Sequence, residues 1–166
     1  MRILGIDPGY DRLGLAIVEG DPSRPTLLWS MCALPAKGTS SERLGEVHAF
    51  VEKAIRAHKP DLIAIETLFF STNRKTALGV AEARGAVLSA AGRAGLPVAE
   101  YPPAAVKLAV TGYGAADKGA IARMVPKLLS LPARKRLDDE LDAIAVAITG
   151  LAQGYPQKTG ARLAGH

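Results

Sequence analysis

The chain contains a single cysteine, Cys32. One thiol excludes an internal disulfide and suits a reducing cytoplasm. Its place beside Met31 in an apolar stretch marks a core residue rather than a nucleophile. No apolar run approaches the ~20 residues needed to cross a bilayer, so no membrane partner is expected. The opening MRILGIDPGY passes from a short apolar run straight into a turn, without the apolar region or cleavage site of a signal peptide. The three histidines are too scattered for a zinc site, and His48 and His58 read as ordinary helix residues. Neither GxSxG nor a P-loop occurs, which removes nucleophile-elbow acyl transfer and Walker-type ATP hydrolysis. Internal repeats and linkers are also missing.

Acids are nearly absent from one stretch. Between Tyr101 and Arg136 lie Lys107, Lys118, Arg123, Lys127, Arg134, Lys135 and Arg136 against the single acid Asp117, seven cations less one acid, or +6. The whole chain carries +5, so the remainder is close to neutral. A localised basic surface suits phosphate backbones, although a solvated helix face looks the same by charge alone.

What is present is ordinary for a globular protein: 48% apolar and 22% charged residues over 166 positions. That length suits one unit burying roughly 68–70% of its unfolded surface. A domain over 1–152 is expected, followed by a flexible tail over 153–166 rich in Gly, Lys and Pro. Three apolar stretches, Arg2–Ile6, Leu13–Val18 and Thr26–Leu34, are separated by the turn clusters DPGYD and GDPSRP, a strand meander. Thr39-Ser40-Ser41-Glu42 is a capping box that opens a helix running to Pro60. Leu62–Ile65 is an apolar run suited to a strand buried on both faces. A helix over Asn73–Arg93, a strand over Leu96–Tyr101 and helices over Ala104–Val110, Lys118–Leu129 and Leu137–Leu151 complete an α/β plan. The sheet is therefore mixed, five-stranded and flanked by helices. The crossover before Leu62 predicts that this strand runs parallel to its neighbour. If that neighbour is the first strand, Asp7 and Glu66 emerge at one carboxyl edge, where open α/β sheets bind ligands.

Three segments carry candidate chemistry. Asp7 lies in GIDPG, where Asp-Pro-Gly is also plain turn chemistry. Glu66 ends a doubly buried strand, which is costly unless a cation compensates it. Asp138, Asp139, Glu140 and Asp142 crowd the head of the last helix. Acids there complement the helix dipole, but four in five residues exceed capping needs. By helical phase Asp142 shares a face with either Asp138 or Asp139. If the stripe Leu137, Leu141, Ile144, Ile148 and Leu151 faces the core, Asp138 flanks it and Asp139 points away. A helix starting between the two, with one of them as cap, reconciles either choice. Roughly four clustered carboxylates on a basic protein suit Mg²⁺ or Mn²⁺, and two such ions suit in-line phosphoryl displacement.

These motifs resemble the RuvC family. The resemblance rests on GIDPG, on AIE followed by a phenylalanine-containing loop, on EARG at Glu82–Gly85 and on DxxDAxAxA in the last helix. Val106–Lys107 and the Gly-x-x-x-x-Lys run ending at Lys118 extend it over roughly Arg2–Leu151. It implies a ribonuclease-H-like nuclease, a homodimer that cuts two opposing strands of a four-way DNA junction with Mg²⁺ or Mn²⁺, two ions per site. The implied metal-binding and catalytic acids are Asp7, Glu66, Asp139 and Asp142. Lys107 and Lys118 correspond to lysines near the scissile phosphate, and Phe69 to an aromatic that contacts junction bases. Arg74 and Lys75, just beyond that loop, are counted with them as DNA-binding. A branch-migration complex of the RuvA and RuvB type is the implied partner. The run Asp138–Glu140 departs from the family pattern, which has a single acid there. A sugar-kinase or actin-like ATPase needs a second domain and a second Gly-rich loop. A resolvase-like nuclease of the ribosomal-RNA-processing type shares the fold. A non-catalytic junction binder should have lost an acid, and none is visibly missing.

Overall fold

The first strand, β1 (Arg2–Asp7), pairs antiparallel with β2 (Leu13–Asp21), which pairs antiparallel with β3 (Arg24–Ala33). This is the expected meander. The computed structural model describes residues 1–68, 74–132 and 134–155, with side chains at 74–76 also outside the description. Phe69, Phe70, the side chains of Arg74 and Lys75, and the tail from 156 onward therefore lie outside the described residues.

After β3 the chain enters α1 (Ser40–His58). Thr39 caps it as its sequence requires: Glu42 N–H donates to the Thr39 hydroxyl at 3.4 Å, and Thr39 N–H donates to the Glu42 carboxylate at 2.8 Å. Lys59 closes the helix in the left-handed conformation. The next strand, β4 (Leu62–Glu66), lies parallel to β1, with Ile6 opposite Ile65. Then follow α2 (Arg74–Arg93), β5 (Val98–Tyr101), parallel to β4, and the helices α3 (Pro103–Thr111), α4 (Lys118–Leu128) and α5 (Asp138–Gln153). Strand order is β3-β2-β1-β4-β5. The last strand starts at Val98 rather than Leu96, whose N–H still donates to the Ala91 carbonyl of α2 at 3.1 Å.

Alternation along the strands sorts the core into two clusters, one on each face of the sheet. Leu4, Ile6, Ile63 and Ile65 pack with Val47 and Val51 of α1 and Val87 of α2. Ile3, Ala16, Leu62, Ala64 and Ala99 pack with α3, α4 and α5. This parity decides the site. Asp7 follows Ile3 and Gly5, and Glu66 follows Leu62 and Ala64, so both acids end their strands on the α5 side.

The last helix corrects the leucine-stripe expectation. Every residue from Ala143 to Leu151 is buried, while Leu137 is exposed and Leu141 only half-buried. The helix runs between the sheet on one side and α3 and α4 on the other. Its sheet-facing row is one of small groups. A Cβ at Gly14 would collide with the Asp139 carbonyl, one at Gly5 with Ala143 and Ala147, and one at Gly150 with Ile3 and Ala64. Strand glycines and helix alanines thus let two backbones approach closely. Asp139, placed by the stripe argument on the far side, heads this sheet-facing row. The expected acidic cap is also absent: Leu137 is the N-cap and makes no side-chain bond. The helix begins at Asp138, so both candidate acids lie inside its first turn.

Candidate active site

Asp7 at the end of β1, Glu66 at the end of β4 and the head of α5 meet at the carboxyl edge of the parallel pair. The charges of Asp142, Asp139 and Glu66 all bear on Asp7. Burial is the largest influence on its carboxyl, followed by repulsion from those three, and Lys118 opposes them; the net result is a pKa pushed up to about 7. Burial and then Asp142 raise Glu66, against the lowering influence of Lys107 and Lys118. Burial raises Asp142, against its hydrogen bond and ion pair with Lys118. Asp138 and Asp139 both act on Asp142; Asp138 also acts on Lys118, and Asp139 on Asp7.

Two cations hold the helix acids. Lys118 Nζ, from the first residue of α4, donates to Asp142 Oδ2 at 3.0 Å, which raises the lysine's own pKa. Asp117 caps α4 by accepting from Ala120 N–H at 2.7 Å, so the helix start aims Lys118 at the cluster. Arg12, in the β1–β2 turn, lies 3.4 Å from Asp139 Oδ2. Arg43 of α1 secures that turn, donating to the Tyr10 carbonyl at 3.1 Å, pairing with Asp11 and stacking on the Tyr10 ring. Arg84 of EARG pins the Glu66 backbone, donating to its carbonyl at 2.9 Å while pairing with Glu100 at 2.6 Å. Sequence alone offers no reason to single out Arg12, Arg43 or the reach of Arg84, because each partner is distant along the chain. A cleft of about 580 Å³, lined by Gly9, Tyr10, Arg12, Leu78, Gly79 and Asp139, opens beside the acids.

The fourth acid of the helix head is not part of the group. Glu140 is buried against Ser30, Arg134 and Arg136. Cys32, half-buried on the α5 side of β3, has its thiol pushed up by burial and by Asp139, which disfavours the thiolate.

Among the described residues, no three His, Cys, Asp or Glu side chains already converge closely enough to enclose a metal ion. The donor chemistry nevertheless fits one. The set consists of carboxylate oxygens alone, it is largely buried, and burial together with repulsion among its members pushes the pKa of Asp7 up to about 7. Among the described helices, none is long and apolar enough to cross a membrane.

A mixed sheet of this order, with acids at the ends of its central parallel pair and at the head of the packing helix, is a ribonuclease-H-like nuclease fold. Residues 3–150 match the family model described as crossover junction endodeoxyribonuclease RuvC. The RuvC of Moorella thermoacetica is 44% identical over 149 residues, covering 89% of each chain. The solved structure of Thermus thermophilus RuvC in complex with Holliday junction substrate matches with a TM-score of 0.84 at 37% identity, covering 90% of this chain and 92% of that one. The yeast mitochondrial Holliday junction resolvase Ydc2 matches with a TM-score of 0.65 at 11% identity over 90% of this chain and 77% of that one, which shows a shared fold alone. The chain belongs to the RuvC family of crossover junction endodeoxyribonucleases.

Proposed function

We propose that this protein resolves Holliday junctions, nicking two opposing strands of a four-way DNA junction by divalent-metal-dependent hydrolysis in homologous recombination and DNA repair. The observation that carries this reading is the gathering of Asp7, Glu66, Asp139 and Asp142 from three distant segments, with the pKa of Asp7 pushed up to about 7 by burial and by the charges of the other three. Mg²⁺ or Mn²⁺, two per site, is the occupant this donor set suits, held by those four acids. When bound, the ions supply an activated water and stabilise the leaving oxygen. Asp139 rather than Asp138 belongs to the set, because it heads the row of α5 pressed on the sheet and its charge reaches Asp7.

The chain's own residues do the rest. Lys118, whose side chain is 66% exposed, and Lys107, whose charge reaches Glu66, hold the phosphate that lies over the acids. Phe69 wedges against bases at the opened crossover, and Arg74 and Lys75 take up neighbouring phosphates. The protein acts as a homodimer. The exposed Leu78 and Leu88 of α2, with open space over Gly85 and Gly92, supply a face that a second helix can approach. It works in the cytoplasm with a branch-migration complex of the RuvA and RuvB type.

The test is nicking of a synthetic four-way junction with and without Mg²⁺ or Mn²⁺. Wild type cuts symmetrically only with metal. Asp7→Asn does not cut, yet binds the junction within about tenfold of wild type because it removes a ligand rather than a phosphate contact. Cleavage by Asp7→Asn at the wild-type rate overturns the assignment.

A further inference from the structure

Glu140 breaks the pattern of its neighbours. It lies between Asp139 and Asp142 in the first turn of α5, yet its side chain is only 5% exposed. Its carboxylate turns to β3 and to the connector between α4 and α5. Ser30 Oγ donates to Oε1 at 2.5 Å, and Arg134 pairs with the same oxygen through Nη2 while its Nη1 lies 3.4 Å from Oε2. Arg136, 6% exposed, brings Nε to 3.6 Å from Oε1 and donates from Nη1 to the Pro132 carbonyl at 3.3 Å. That Nε is buried and makes no hydrogen bond of its own, so its charge depends on Glu140 for compensation.

The helix start needs such a fixture. Leu137 at the N-cap offers no side-chain bond, so within the helix itself only the backbone bonds from Glu140 and Leu141 to the Leu137 carbonyl close the first turn. Parity explains how the clasp reaches it: Ser30 pairs with Ala16, and Cys32 with Gly14, on the α5 side of the sheet. A buried ion pair adds little net stability over apolar replacements, but it holds its partners in one arrangement.

We propose that Glu140 is a positioning residue for strand cleavage. With Arg134, Arg136 and Ser30 it seats the uncapped first turn of α5 against β3, and so sets where Asp139 and Asp142 stand over Asp7. This rests on the reading of those acids as metal ligands, and Glu140 itself touches neither metal nor DNA.

The test separates position from stability. Glu140→Gln leaves the Arg136 charge buried and uncompensated, so its melting temperature falls. The double variant Glu140→Gln/Arg136→Met removes one charge of each sign, keeps the net charge and regains stability. Mn²⁺ affinity is read by electron paramagnetic resonance on DNA-free protein, at a temperature where circular dichroism shows every variant folded. In the double variant Mn²⁺ binds at least about tenfold more weakly than in wild type, the range seen when groups that orient metal ligands are removed. Its kcat falls in parallel while KM for the junction holds. A double variant that binds Mn²⁺ and cuts like wild type overturns the proposal, whatever its melting temperature. Asp139→Asn is the control. If it binds Mn²⁺ as wild type does, the ligand reading fails and takes this proposal with it. If it loses Mn²⁺ while the double variant does not, this proposal alone fails.

Discussion

Lys118 Nζ stands 3.0 Å from Asp142 Oδ2, joining the first residue of α4 to the head of α5 across the mouth of the acid cluster. The two ends of the pair differ in freedom. The lysine side chain is 66% exposed and the aspartate 26%, so the ammonium can leave for a phosphate while the carboxylate stays. Lys118→Ala should therefore slow cleavage and flatten the salt dependence of junction binding, lowering the log–log slope by about 0.9 for the one lost phosphate contact. Binding titrations between low and moderate salt read the slope. A slower rate with an unchanged slope would assign the lysine to chemistry alone.

Ionising Asp7 costs more in the folded chain than in the unfolded one, because its pKa rises from 3.8 to about 7 on folding. Without metal, the folded state therefore loses stability as pH rises from about 4 to about 7. The loss levels off above that range, at on the order of 4 kcal/mol. Asp7→Asn removes it. In EDTA the variant should resist denaturant better than wild type at pH 8 and match it at pH 4. A gap that does not change with pH would show that Asp7 is not the titrating group.

Asp139 and Asp138 should separate cleanly. Asp139→Asn abolishes cleavage. Asp138→Asn leaves cleavage intact and costs no cap, since Leu137 occupies that position. Only the favourable placement of a negative charge at a helix start is lost, about 0.3–1 kcal/mol. If the phenotypes are exchanged, Asp138 is the ligand and the first turn of α5 is rotated relative to the sheet.

Gly14→Ala tests the close approach that brings Asp139 to Asp7. A methyl at Gly14 meets the Asp139 carbonyl, so α5 must back away from β2. Overpacking of this kind costs about 1–3 kcal/mol, and cleavage should fall further than that stability loss predicts. Normal activity in a folded Gly14→Ala protein would mean that the acids tolerate displacement of the helix.

Much of this was legible in the chain itself. The capping box at Thr39, the doubly buried run Leu62–Ile65 and the punctuation at DPGYD are local signals, each decided by residues a few positions apart. The ends of the strands and the crossover rule would place Asp7 and Glu66 at one edge if β4 lay beside β1, and the sheet order meets that condition. The motifs around the acids carry the resemblance to the family by themselves.

What local pattern does not carry is the partner on the far side of a contact. The stripe Leu137, Leu141, Ile144, Ile148 and Leu151 looked like the core face of α5, because helical periodicity assumes one buried side. In the folded chain the helix is buried all round from Ala143 to Leu151, and its sheet-facing row is small because Gly5 and Gly14 admit its backbone. That row is headed by Asp139 and not by Asp138, a difference in placement that sequence phase left unresolved. The same reason covers Glu140. Beside three other acids it reads as one more charge at the helix start, yet Ser30, 110 residues away, and the arginines of the connector take it into the core. Sequence determined which carboxylates exist and which elements bear them. Packing of one helix between a sheet and two other helices decided which of them meet, because that depends on the distance between backbones and not on the order of residues along them.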